Sequence, residues 1–259
     1  MKLLGRLTLI AILMAAVVAA QPGRRVLVYT RQTVSAASSY IHDNTAASVE
    51  AIQKMGAANG FAVDASEDPA VFTAENLKRY AALIFSNTHN EAFQSGAQRE
   101  AFQRYIEAGG GFVGLHAATT TEREWPFFVA TIGGKFVRHP ALQKFTITVI
   151  DGSHPATRVL PATFEWEDEC YFHDGLNPDL HPLMVADPAR LADPQMGRYP
   201  GSLINGMVPL AWTITTRNRR VFFTALGHKK EYYADPLLSA HILGGVLWAI
   251  GGGGRQSGR

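Results

Sequence analysis

From Arg24 onward the chain alternates short apolar runs with amphipathic stretches. Val26-Leu27-Val28-Tyr29 is a compact apolar run, as expected of a strand buried on both faces. A polar loop, Thr30 to Asp43, follows. Asn44 is then placed to cap a helix reaching about Asn59, with Val49, Ile52 and Met55 near one face and Gly60 as its stop. Phe61-Ala62-Val63 reads as a second strand, and Phe72 to Tyr80 as a short helical connection capped by Thr73. Ala82-Leu83-Ile84-Phe85 makes a third strand, ending at Ser86-Asn87-Thr88. Ser95 and Gln98 form a capping-box pair for a helix to about Glu107. Ala108-Gly109-Gly110-Gly111 ends it, and Phe112-Val113-Gly114-Leu115 is the fourth strand.

This β-α-β-α order predicts an α/β fold: a mostly parallel sheet with helices on both faces. Ligands of such sheets bind beyond the carboxyl ends of the strands. Those ends lie near His42, near Asn87 and at His116. The second half changes rhythm. Phe145 to Val149 alternates with period two, as a strand with one wet face does. Pro209 to Thr215 and Arg220 to Ala225 read as two strands joined by Thr216-Arg217-Asn218-Arg219. Glu165 to Asn205 reads as loop-rich, and Leu237 to Ile250 as a closing helix. The expected fold therefore has an added β-rich C-terminal half.

The ends of the chain differ from its body. Lys2 and Arg6 precede the apolar run Leu7 to Val18, and small residues lead to Ala20. This describes a Sec-type signal peptide over 1–20, cleaved near Ala20. The expected location is periplasmic or secreted, with no stable membrane anchor after cleavage, because the run is shorter than the roughly 20 residues that span a bilayer. One domain is expected over 24–250, and 251–259 reads as a disordered tail. Of the 259 residues, 47% are apolar and 18% charged, enough for one large core. A net charge of +2, without a basic stripe or recognisable motif, gives no reason to expect a nucleic-acid partner. The single cysteine, Cys170, excludes an intramolecular disulfide.

The strongest chemical feature is Gly114-Leu115-His116-Ala117-Ala118, between a strand and an expected helix. Small neighbours allow a sharp turn that lifts the central side chain out of the sheet, as in the G-x-S-x-G elbow. Imidazole at that point is better suited to acid–base work or metal binding than to acyl transfer. His42 and His228 also follow strands and could share one face with His116. Their long-range separations make no compact metal signature. The sequence requires no cofactor, and it leaves a divalent metal such as zinc open. In Glu165-Trp166-Glu167-Asp168-Glu169-Cys170-Tyr171, Glu165 and Glu167 suit a solvated edge, whereas Glu169 and Tyr171 suit a sugar or polar-metabolite site. The candidate catalytic residues are thus His116, His228, Glu169 and His42. Asn87, His139, Tyr171 and Trp212 are candidate substrate-binding residues, Trp212 reading equally as core.

Seven motifs occur in order: the strand-one histidine, Gly114 to Ala118, Gly133-Gly134-Lys135-Phe136 through His139-Pro140, His154-Pro155, Asp168 to Tyr171, Pro209 to Thr213, and Leu226-Gly227-His228. With them the chain resembles the ThuA-like (trehalose utilization) family over about Arg25 to Gly251. The resemblance implies a flavodoxin-like sheet, similar to the class I glutamine amidotransferases, with the amidotransferase cysteine replaced by His116. It also implies a small carbohydrate substrate, of the trehalose-type disaccharide or 3-keto-sugar kind, and a separate nicotinamide-dependent dehydrogenase in the same pathway. There is no G-x-G-x-x-G fingerprint, so this chain is not expected to bind the nicotinamide itself. Histidine acid–base chemistry on a keto-sugar is the preferred expectation. The alternatives are a non-catalytic periplasmic sugar-binding module and a metal-dependent hydrolase using His42, His116 and His228.

Overall fold

The computed structural model describes residues 24–35, 40–198, 201–216 and 219–251. The signal peptide expected over 1–20, and the tail beyond Gly251, lie outside the described residues. The first half follows the apolar pattern closely. Strands β1 (Arg25–Tyr29), β2 (Ala62–Ser66), β3 (Ala82–Ser86) and β4 (Gly111–Leu115) alternate with helices α1 (Thr45–Asn59), α2 (Ala74–Leu77) and α3 (Gly96–Glu107). Gly60 ends α1 in the left-handed conformation at φ 71°. Thr73 caps α2 through Oγ1, and Ser95 caps α3 by accepting from the Gln98 amide. The reciprocal half of the box is displaced by one residue, since Gln98 Oε1 takes the amide of Gln94.

Beyond β4 come a 3₁₀ turn (His116–Thr120), α4 (Pro126–Ile132), and strands β5 (Lys135–Arg138) and β6 (Gln143–Val149). The segment expected to be loop-rich, Glu165 to Asn205, is corrected here. It holds most of β7 (Thr163–Asp168) and all of β8 (Phe172–Asp174) and β9 (Leu180–Ala186). Its prolines hid this: Pro182 sits within β9 itself, where the apolar run is Leu183 to Ala186. The closing elements are β10 (Val208–Thr216), β11 (Arg219–Thr224) and α5 (Pro236–Ala249), with Asp235 capping α5.

Among the described residues, nine strands form one sheet in the order β2-β1-β3-β4-β11-β10-β9-β6-β7, and β5 pairs separately with β8. The first five run parallel, and the antiparallel strands continue outward from β11. The parallel half thus has the flavodoxin order 2-1-3-4-5, with β11 as the fifth strand. The β-rich half is therefore an extension of the same sheet: β11 pairs with β4 from Val221↔Phe112 to Thr224↔Leu115.

Alternation along the strands sends side chains into two cores. Val26, Val28, Ile84, Val113 and Phe222 pack against Ile52 of α1 and Ile242 and Val246 of α5. Leu27, Tyr29, Phe85, Phe112 and Phe223 pack against Phe102 of α3 and Phe128 of α4. With both faces covered, polar groups at the carboxyl ends of the strands are the ones that can gather into a site.

Candidate functional site

Four strands of the parallel half deliver polar residues to one rim. His42 follows β1, Asn87 follows β3, His116 follows β4 and His228 follows β11. The backbone there is strained: Asn87, Asn90, His116 and Glu122 all have positive φ, between 47° and 58°. Non-glycine residues in this region cost of order 1–3 kcal/mol each and cluster at functional sites. His116 at φ 48° is the sharp turn expected after β4, although a 3₁₀ turn follows rather than an α-helix. A Cβ on Gly114 would stand 2.8 Å from Ile132 and 3.0 Å from Phe223, so a small residue is required beneath the turn.

His116 is completely buried, yet its surroundings are polar. Its Nδ1 lies 2.7 Å from the carbonyl oxygen of Ala225. A carbonyl can only accept, so Nδ1 carries the proton and Nε2 presents a lone pair. That lone pair faces the Tyr171 hydroxyl at 3.0 Å, His228 Nδ1 at 3.3 Å and Glu169 Oε2 at 3.6 Å. His42 is held in the same manner: Gln32 Oε1 accepts from its backbone amide at 2.7 Å and lies 3.3 Å from Nδ1. Its ring centroid is 5.0 Å from that of His116 and 5.7 Å from that of His228.

The electrostatics divide the cluster in two. Burial, with the neighbouring imidazoles adding to it, holds His42 far below the usual histidine range. Burial also pulls His116 down to about 4, against the Ala225 hydrogen bond and the Glu169 charge. Both are neutral ligand-type imidazoles at pH 7. For His228 burial again acts downward, but Glu169, 3.1 Å from Nδ1, outweighs it and the pKa is raised. Glu169 is its counterpart: burial pushes upward, and the His228 bond with the surrounding imidazoles brings the carboxyl below its ordinary value. Tyr171 is raised well above 10 by burial and by Glu169, so its hydroxyl stays protonated.

His42, His116, Glu169 and His228 each offer one ligand atom, all within 4.8 Å of one another. Three of the separations are 3.1, 3.3 and 3.6 Å. Ligand atoms at 2.0–2.1 Å from a tetrahedral zinc stand about 3.3–3.4 Å apart. The donor set therefore fits a divalent cation, and the Nδ1 anchors of His42 and His116 are the kind of outer support that metal-bound histidines have.

The remaining expected site residues separate. His139 is near the centre and the more open imidazole, its side chain 33% exposed, with Nε2 3.5 Å from Glu169 Oε1 and Nδ1 donating to the Pro140 carbonyl. Tyr171 lies inside, against His116. Asn87 is not available to a substrate: it is buried, its Nδ2 donates to Ser86 and Tyr233, and its Oδ1 accepts from Asn44. Trp212 is a core residue. Its indole donates to the Ile132 carbonyl, packs on Phe223 and lies against Gly133, where a Cβ would come within 2.4 Å of it. That contact explains the glycine at 133 without any ligand.

Two contributors escaped the sequence reading. Tyr40, half exposed, lies parallel to the His228 ring at 6.0 Å and edge-on to His42 at 4.8 Å. Asp168 is fully buried and accepts from the amides of Glu169, Gly227 and His228 and from the Trp166 indole. The period of β7 could have found it, since Glu165 and Glu167 face water while Trp166 and Asp168 face in. Asn44 was expected to cap α1 and does not; its amide is turned toward the His228 loop instead.

Comparison with known proteins agrees with this architecture. The family model for ThuA, described as trehalose utilisation, matches residues 25–249. A solved structure described as a ThuA-like protein, from Bacteroides uniformis, is similar at 24% identity and TM-score 0.69, covering 91% of this chain and 95% of that one. Another, from Parabacteroides merdae, is similar at 21% identity and TM-score 0.67, covering 90% and 92%. A protein described as a GMP synthase component, from Thermoplasma acidophilum, shares the fold at 12% identity and TM-score 0.50, covering 87% and 94%. Comparison with curated proteins finds no match. With every residue from β1 to α5 inside the matched range, the chain belongs to the ThuA, or trehalose utilisation, family.

Proposed function

We propose that this protein is an enzyme of carbohydrate metabolism that moves protons on a sugar or keto-sugar beside a divalent cation. The observation that supports this most is the convergence of three imidazoles and one carboxylate with ligand atoms within 4.8 Å of one another, those of His116, Glu169 and His228 standing 3.1–3.6 Å apart. His42, His116 and His228 would hold the cation, and Glu169 Oε2 would fill the fourth position only until a substrate oxygen takes it, which would free the carboxylate for proton transfer. When bound, such an ion supplies Lewis-acid polarisation of a carbonyl or hydroxyl oxygen. His116 then serves as ligand rather than general base, because its buried ring is a weak base at pH 7.

Proton transfer falls to Glu169 and His139. Glu169 faces the centre with one oxygen and His139 with the other, and His139 reaches solvent. This chain of two groups can carry a proton between the substrate and bulk water. Tyr171 keeps its proton and so acts as a hydrogen-bond donor. Tyr40 at the mouth offers an aromatic face to the C–H face of a sugar ring. The carbohydrate class rests on membership of the trehalose utilisation family.

The test is a turnover assay with trehalose and 3-keto-trehalose, followed by NMR, using protein stripped of metal and protein resupplied with zinc. Turnover should require the metal, and Glu169→Gln should lower kcat by 10²–10⁴-fold, the range of general acid–base catalysis. Full turnover in stripped protein, or in the Gln variant, would contradict the proposal.

A further inference from the structure

The His228 loop is gripped from two sides by side chains that do not themselves face the centre. Asp168 accepts the amides of Gly227 at 2.8 Å and His228 at 3.3 Å. Asn44 Nδ2 donates to the carbonyls of the same two residues, at 2.8 and 2.7 Å. The donors and acceptors of two consecutive residues are thus held by one carboxylate and one amide, while Gly227 takes φ 120°.

The two gripping residues also reach the other ligands. Asp168 accepts the amide of Glu169 at 2.9 Å, fixing the backbone from which that carboxylate projects. The Trp166 indole, 3.0 Å from Asp168 Oδ2, fixes the gripping carboxylate in turn. Asn44 stands two residues beyond His42, at the entry to α1, and its Nδ2, whose two hydrogens are shared among three acceptors, also lies 3.0 Å from Asn87 Oδ1. His42, Glu169 and His228 come from segments far apart in sequence. Asp168 and Asn44 are where those segments are joined.

We infer that Asp168 and Asn44 are the positioning residues of the metal centre, setting His228 and Glu169 in ligating register with His42 and His116. Neither touches the ligand atoms; both act through the backbone of residues that do. The inference rests on the proposed metal site. It explains why Asn44 leaves the start of α1 uncapped by its side chain, and why a buried carboxylate at the end of β7 faces the loop after β11.

The test is titration of metal-free protein with cobalt(II) chloride, read from its visible absorption bands, with His228→Gln as the reference for a centre lacking that ligand. Asp168→Asn and Asn44→Ala should each weaken cobalt binding about 10–100-fold, the usual effect of removing a metal site's outer support. Their band shapes should move toward that of His228→Gln. Circular dichroism checks folding, and Asn44→Ala carries the test should Asp168→Asn not fold. Folded variants that bind cobalt with wild-type affinity and bands would overturn the positioning role. Wild-type protein that takes up no cobalt would overturn the metal site itself, and the inference with it.

Discussion

At the scale of single residues, His116 combines two demands that seldom meet. Its backbone lies in the left-handed region at φ 48°, and its ring is wholly buried in a polar cluster. Left-handed backbone costs an ordinary residue roughly 1–2 kcal/mol, while asparagine tolerates it. His116→Asn and His116→Ala should both lose the proposed metal binding, since neither side chain replaces the imidazole. The Asn variant should remain more stable than the Ala variant by about 1 kcal/mol, measured by denaturant unfolding. Equal stabilities would refute the explanation by backbone strain. The sequence made His116 visible because small residues flank it. It did not make the ring's burial visible, which depends on Ala225 and Tyr171, both distant in the chain.

At the scale of elements, α5 carries a second consequence of burying imidazoles. His241 points from α5 to the Ala156 carbonyl at 2.8 Å and is fully enclosed. Burial lowers it from 6.5 to about 4, against the pull of that hydrogen bond. A folded-state pKa below the unfolded one stabilises the protein above pH 6.5, and the contribution is lost as pH falls toward 4. At about 1.4 kcal/mol per pKa unit, this single group accounts for roughly 3 kcal/mol of acid sensitivity. His241→Leu should flatten the fall in stability between pH 6.5 and 4, read from urea midpoints at several pH values. A pH dependence as steep as that of the wild type would show that His241 does not titrate across this range. The α5 helix itself was legible from its apolar run. The partner of His241 was not, because the Ala156 turn approaches it from 85 residues away.

At the scale of the whole molecule, the sequence disclosed the parallel half well and the antiparallel half poorly. Runs such as Val26 to Tyr29 and Ala82 to Phe85 are buried on both faces, so their signal is continuous and strong. β7 alternates, β8 is three residues long and β9 contains a proline, so each signal is weak alone. Their pairing with neighbours, and of β11 with β4, creates the elements. The same distinction holds for the site. His42, His116 and His228 could be named as candidates from their places after strands and Glu169 from its acidic-aromatic run, and the fold brings all four together. Asn87, also at a strand end, and Trp212, within a strand, are spent on internal hydrogen bonds and packing. Asp168 was hidden in a run of acids, and Asn44 behind an apparent helix cap. Loop position nominates residues for a rim; only the three-dimensional wiring decides which of them face the centre.

The central proposal is that these three imidazoles and one carboxylate bind a single divalent ion. Zinc K-edge X-ray absorption on protein loaded with one equivalent of zinc examines it directly. The expected spectrum is that of three imidazole nitrogens and one carboxylate oxygen, all at about 2.0–2.2 Å. A spectrum with one imidazole or none, or zinc that washes away without being retained, would contradict it.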